Sequence, residues 1–221
     1  YTGMEKFKEV IEEKLGDKYE VQIYPNELLG GQTKAIELTQ TGAIDFVVVG
    51  TPNLEIFADV YEVFSMPYLF TSEEAYFAAM NDTDYMEKVY ESTDETGLRV
   101  MTWFNVGSRN FYAKKPINTP DDLKGLKIRV PSNEIQSYGF DVLGATSTGM
   151  ALGDVYQALQ TKTIDGAENP IATLYGRKLH EVAPYLILDG HVKNFTTWVV
   201  SADWFNSLTE EQQNWLVETA Q

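Results

Sequence analysis

Arg129 and Asn169 are the residues whose type and setting point most directly to chemistry. Arg129 ends a short apolar strand in LKGLKIRVP (residues 123–131), just ahead of the proline. Asn169 follows in ALQTKTIDGAENP (residues 158–170), where a helix ends at Gln160-Thr161 and a brief strand runs through Ile164. That reading delivers Asn169 on the loop after the strand. Ligands of open α/β sheets bind outside the carboxyl ends of the strands. An arginine and an asparagine there suit a carboxylate with neighbouring hydroxyls, because guanidinium holds a carboxylate in a two-pronged fork.

The surrounding charge sharpens this reading. The 221 residues carry a net charge of −16, with 33 acidic and 17 basic residues. Such a field repels nucleic acid and anionic membrane surfaces, so an anionic ligand needs local cations. Arginine is scarce: Arg99, Arg109, Arg129 and Arg177. Arg109 and Arg129 lie in apolar, strand-like segments. Each also has a structural alternative. Arg129 can pair with an acid, Arg109 can tie strands together beside a hinge, and Asn169 can cap the helix that begins with Pro170.

Other chemistries find little support. There is no cysteine, which excludes disulfides, thiolate metal sites and a thiol nucleophile. His180 and His191 stand eleven residues apart without a ligand pattern around them. Glu168 is a single carboxylate without an acid–base partner. Gly30-Gly31 reads as a helix entry, not a nucleotide fingerprint. No metal, no cofactor and no catalytic set is expected. Trp103, Phe104, Phe111 and Tyr112 read as packing.

The elements that would hold Arg129 and Asn169 alternate between helix and strand. Met4, Phe7, Val10, Ile11 and Leu15 repeat at helical spacing. Residues 19–24 alternate as a strand, a helix opens after Gly30-Gly31, and Ile44 to Val49 reads as a buried strand. Thr71 and Glu74 form a capping box for a helix through Met80, and another helix covers about residues 85–96. Residues 98–113 are extended, with a break at Gly107-Ser108. Thr119-Pro120-Asp121-Asp122 starts a helix. The strand around Ile128 follows, then helices near 134–143 and 154–161 and a helical run over 170–182. Residues 185–188 and 197–201 read as strands, and a last helix starts at Thr209, boxed by Gln212. This is an α/β fold. An internal echo refines it: Gln40-Thr41-Gly42-Ala43-Ile44-Asp45 resembles Gln160-Thr161-Lys162-Thr163-Ile164-Asp165. Two similar lobes facing each other across a central cleft are expected, with Gly107-Ser108 as a hinge. Lobe I takes residues 1–106 plus 195–221, and lobe II takes 107–194.

LKGLKIRVP and ALQTKTIDGAENP, together with YPNELLGGQTKAIELTQTGAIDF (24–46), FSMPYLF (64–70), GSRNFYAKKPINTPDDL (107–123) and LHEVAPYLILDGH (179–191), resemble the solute-binding proteins of tripartite ATP-independent periplasmic (TRAP) transporters, the DctP type. The resemblance covers essentially the whole chain. It implies a two-lobe, Venus-flytrap fold of the periplasmic-binding-protein kind. The lobes would close on an organic acid and deliver it to TRAP membrane permease subunits. It also implies a monomer without enzymatic activity, periplasmic or extracytoplasmic, and anchored as a lipoprotein in a Gram-positive source. Family members are longer at both ends, so the chain reads as a piece of a longer protein, truncated at both ends. By motif, Arg129 resembles the main carboxylate-binding arginine, Arg109 a second arginine near that carboxylate, and Asn169 an asparagine that also contacts it. By position, Asn53, Ser132, Leu152, Phe195 and Thr196 would line the rest of the cleft. The polar Asn53, Ser132 and Thr196 favour a hydroxylated acid such as a uronate. A small dicarboxylate, a keto acid or sialic acid are the alternatives, as is a ligand sensor for a membrane kinase. Gly50 and Asn53 stand where sialic-acid binders carry an acid and an arginine, which weakens that reading.

Overall fold

Two long strands organise the chain. Leu98–Ala113 and Tyr185–Ser201 run antiparallel beside each other along nearly their whole length. Both are rich in β-branched and aromatic residues, which suit a pleated surface buried on both sides. The computed structural model describes residues 2–16 and 18–220. The strands are β1 (Phe46–Gly50), β2 (Leu98–Ala113), β3 (Lys127–Val130), β4 (Thr146–Gly149), β5 (Gly166–Pro170) and β6 (Tyr185–Ser201). The helices are α1 (Thr2–Leu15), α2 (Gln32–Gln40), α3 (Glu73–Met80), α4 (Thr83–Glu91), α5 (Glu134–Val142), α6 (Val155–Gln160), α7 (Ile171–Gly176), α8 (Ala202–Asn206) and α9 (Glu210–Ala220).

The six strands form one sheet in the order β1-β6-β2-β5-β3-β4. It is continuous, yet it serves two lobes. β1 pairs with the last part of β6, Phe46 opposite Val200 and Gly50 opposite Thr196. β5 pairs with the last part of β2, Arg109 opposite Pro170 and Ala113 opposite Gly166. β3 joins β5 and β4 in parallel. Between the two ends the β2–β6 ladder slips at Asn105/Gly107 and again at Arg109/Phe111. Bulges of this kind bend a strand and increase its twist. Gly107 has φ 85°, a left-handed conformation that favours glycine.

Side-chain alternation gives each lobe apolar packing on both sheet faces. Val199 and Phe195 pack with Ile36, Leu54, Tyr61 and Tyr76. Trp198 and Val200 face the other way, onto Phe7, Ile11, Phe205 and Leu216. In the second lobe Tyr112 packs with Leu159, Ile164 and Leu179, and its neighbour Phe111 packs with Leu123 and Ile128.

The internal echo is a structural repeat. After α2, Ala43 N donates to Leu38 O at 2.8 Å, and Gly42 has φ 71°. After α6, Thr163 N donates to Ala158 O at 2.9 Å, and Lys162 has φ 62°. Thr41 Oγ1 and Thr161 Oγ1 each return to the carbonyl four residues earlier, at 3.0 and 2.9 Å. Both helices therefore stop through the same left-handed turn, and both feed a strand whose far end reaches the cleft.

Four local expectations are corrected. Residues 19–24 join no ladder among the described residues, although Val21 and Ile23 turn in toward Phe46 and Val48. The strand expected through Ile164 begins at Gly166, after the turn. The two strands expected at 185–188 and 197–201 are one, β6. Ser72, not Thr71, caps α3, its side chain accepting from Ala75 N at 3.1 Å.

Candidate functional site

The carboxyl-terminal ends of β1, β3 and β5 converge on a cleft that is continuous with a gap beside β1; together they enclose about 990 Å³. Arg109, Arg129, Asn169, Asn53, Leu152 and Thr196 all line the cleft.

Arg129 sits on β3, paired with Ala167 of β5 and Thr148 of β4. It is 3% exposed. Its Nε and Nη2 both donate to the Met150 carbonyl, at 2.8 and 2.6 Å. Among the described residues no carboxylate forms a salt bridge with it. Burial lowers its pKa to about 10, against the raising field of Glu168. A buried guanidinium held by one carbonyl on the wall of a cavity, without a salt bridge among the described residues, gains by meeting an anion.

Arg109 differs. Its Nε and Nη2 grip the two carboxylate oxygens of Glu168, with Nη2 at 2.6 Å from Oε1. Nη2 also reaches the Glu168 carbonyl at 3.1 Å, and Nη1 lies 3.4 Å from Asn194 Oδ1. Glu168 is fully buried. Burial pushes its carboxyl up, but Arg109 and His191 outweigh burial and hold it at about 2. His191 is placed between two acids, Nδ1 2.8 Å from Asp189 and Nε2 3.4 Å from Glu168. Burial lowers the imidazole, and Asp189 with Glu168 raises it past that, to about 9. The fork of Arg109 is thus occupied by Glu168, while the residue itself lines the cleft near Arg129. Glu168, an acid without a partner by sequence alone, has one in Arg109.

Asn169 lies on β5 itself, opposite Asn110, not on a following loop. It does not cap α7, whose N-cap is Pro170. Tyr112 Oη donates to its Oδ1 at 2.9 Å, which leaves the amide NH2 as donor on the cleft wall. Asn53 Nδ2 donates to Gln32 Oε1 and to Gly50 O, both at 3.2 Å. Gln32 Oε1 also accepts from Gly50 N at 2.7 Å.

Two expected wall residues lie elsewhere. Phe195 is fully buried in the first-lobe core, edge-on to Phe64 at 5.0 Å. Its strand neighbours Asn194 and Thr196 face the cleft instead, as period-two alternation requires. Ser132 is exposed and is not part of the lining. Sequence reasoning missed Gln32, Asn194, Glu27 and Arg177, which do line the cleft. Single polar residues on a helix or strand carry no local signal of a pocket. Among the described residues no acidic or histidine cluster could hold a metal.

Residues 1–221 match the model of bacterial extracellular solute-binding proteins, family 7. Protein YiiZ of Salmonella typhimurium is 39% identical over 95% of this chain, which spans 64% of that protein's length. A TRAP periplasmic solute-binding protein from Anaerococcus prevotii, solved with bound D-glucuronate, is 43% identical with a TM-score of 0.95, covering 99% of this chain and 71% of that one. One from Sulfitobacter, solved with β-D-galacturonate, is 31% identical with a TM-score of 0.94, covering 99% and 73%. These folds are of the two-lobe, mixed α/β kind seen here.

Proposed function

The chain belongs to family 7 of the bacterial extracellular solute-binding proteins, and from that premise we propose that its cleft binds a sugar acid such as a uronate. One observation carries the proposal: Arg129 is buried on the cleft wall and forms no salt bridge among the described residues. Asn169, with its NH2 turned out by Tyr112, supplies a second donor for the carboxylate. Asn53, Gln32 and Thr196 on the facing wall offer polar partners for hydroxyls. Arg109 acts behind them, locking Glu168 between β2 and β5.

The lobes divide at 106/107 and 194/195, so that residues 1–106 with 195–221 close against 107–194. The slipped ladder at Asn105/Gly107 supports this boundary. Closing on the acid without turning it over, the protein hands it to TRAP permease subunits from the extracytoplasmic side. No helix among the described residues is long and apolar enough to cross a membrane.

Calorimetric titration of the full-length protein tests the reading. D-glucuronate and D-galacturonate should bind one-to-one without product formation, and the methyl ester of D-glucuronate, which lacks the anionic carboxylate, should not. Equal affinity for acid and ester would reject a carboxylate clamp on Arg129.

A further inference from the structure

We propose that Glu27 is the latch of the cleft, joining its two walls and setting how fast a bound acid escapes. The proposal rests on the solute-binding reading above. Glu27 stands in the turn between residues 25 and 31, on the first-lobe wall. Its side chain is 17% exposed and crosses to the opposite wall. There Oε2 accepts from Gly153 N at 3.1 Å, and Oε1 lies 3.5 Å from Arg177 Nη2. Both partners sit more than a hundred residues away in sequence and belong to the segment that carries α6 and α7.

Three further observations show that the contact is built. First, Asn26 and Glu27 have φ 56° and 60°, two consecutive L-residues in the left-handed region. Such a pair is unfavourable alone and persists where surrounding contacts hold it. Second, Gly153 makes room for the carboxylate. A Cβ there would stand 2.4 Å from Glu27 Oε2. Third, the walls also meet at Gly31, where a Cβ would come 3.3 Å from Ala151 Cβ. The charge of Glu27 also reaches Arg129. Within the closed latch that negative charge is turned onto Gly153 and Arg177, so an anionic ligand is not confronted by a free acid.

The latch has two separable halves, Glu27 on one wall and the bare backbone of Gly153 on the other. The full-length protein, Glu27→Gln and Gly153→Ala are compared by stopped-flow release of D-glucuronate. Both variants should release about tenfold faster, the effect of one charge-assisted hydrogen bond, with association nearly unchanged. Spin-label distances between the lobes of the ligand-free protein give a readout that does not depend on which acid binds. Both variants should shift toward wider separations. Unchanged separations in both would overturn the latch even if D-glucuronate proved the wrong ligand. Faster release in Glu27→Gln alone, with Gly153→Ala like wild type, would make Glu27 a direct ligand contact and overturn it too.

Discussion

Arg129 and Arg109 lie on strands separated only by β5, yet they have opposite electrostatic circumstances. Arg109 shares a buried carboxylate. Arg129 has the Met150 carbonyl and forms no salt bridge among the described residues. Replacing Arg129 with alanine should therefore cost about 2–5 kcal/mol of uronate binding. Arg129→Lys should recover only part of it, since an ammonium lacks the planar fork. Titration of both variants against D-glucuronate checks this, and wild-type affinity in Arg129→Ala would remove the residue from the site. Both arginines stood out in the sequence because they are rare and set in apolar strands. Which one was paired did not, because the partner of Arg109 is 59 positions away and only the β2–β5 register brings it close. Phe195 failed for a different reason. On a strand buried on both faces, neighbouring residues look alike in pattern, so a shift of one position exchanges core for cleft.

Helices and the long strand β2 were legible because their apolar patterns are strong, β6 only at its two ends, and the repeated turn at Gly42 and Lys162 was legible as the repeated pattern QTxxID. What escaped were elements defined by neighbours. β4, with sequence TSTG, has no apolar alternation and lies at the sheet edge, paired only with β3. Residues 19–24 have the alternation but pair with no strand among the described residues, and alternation alone does not supply a partner. The cap of α3 is a finer case, because Thr71 and Ser72 offer the same chemistry one residue apart. The accepted bond runs to Ser72. Ser72→Ala should lower stability by about 1 kcal/mol while Thr71→Ala changes little. Denaturant midpoints of the two variants decide between them, and the reverse order would restore the sequence-based box.

For the whole molecule, three buried groups with large shifts place the stability maximum on the acid side. Glu168, held at about 2 against an unfolded value of 4.5, stabilises above pH 4.5, and that gain is lost as pH falls toward 2. Glu55 is raised by burial to about 7, so the folded state keeps a proton that the unfolded chain has released, and stability falls between pH 4.5 and 7. His191, raised to about 9 from 6.5, contributes fully below pH 6.5, and that contribution disappears as pH rises through 9. The net charge of −16 adds self-repulsion that carboxylate protonation relieves. Thermal midpoints should peak near pH 5 and decline steadily toward pH 9; a plateau or a rise across that range would contradict it. The crossing of β2 and β6 has a consequence for the order in which the strands pair. Among the described residues β1 forms its ladder with Thr196–Val200 of β6, far along the sequence. The strands β3, β4 and β5, by contrast, pair with one another and with the end of β2 over shorter stretches of sequence. Folding of the first lobe therefore requires a pairing across about 150 residues of chain, and contacts so far apart in sequence form slowly because the loop must be closed before they contribute. In refolding from denaturant, pulse-labelled amide exchange should protect β3 and β5 before β1, and simultaneous protection of all three would contradict this order.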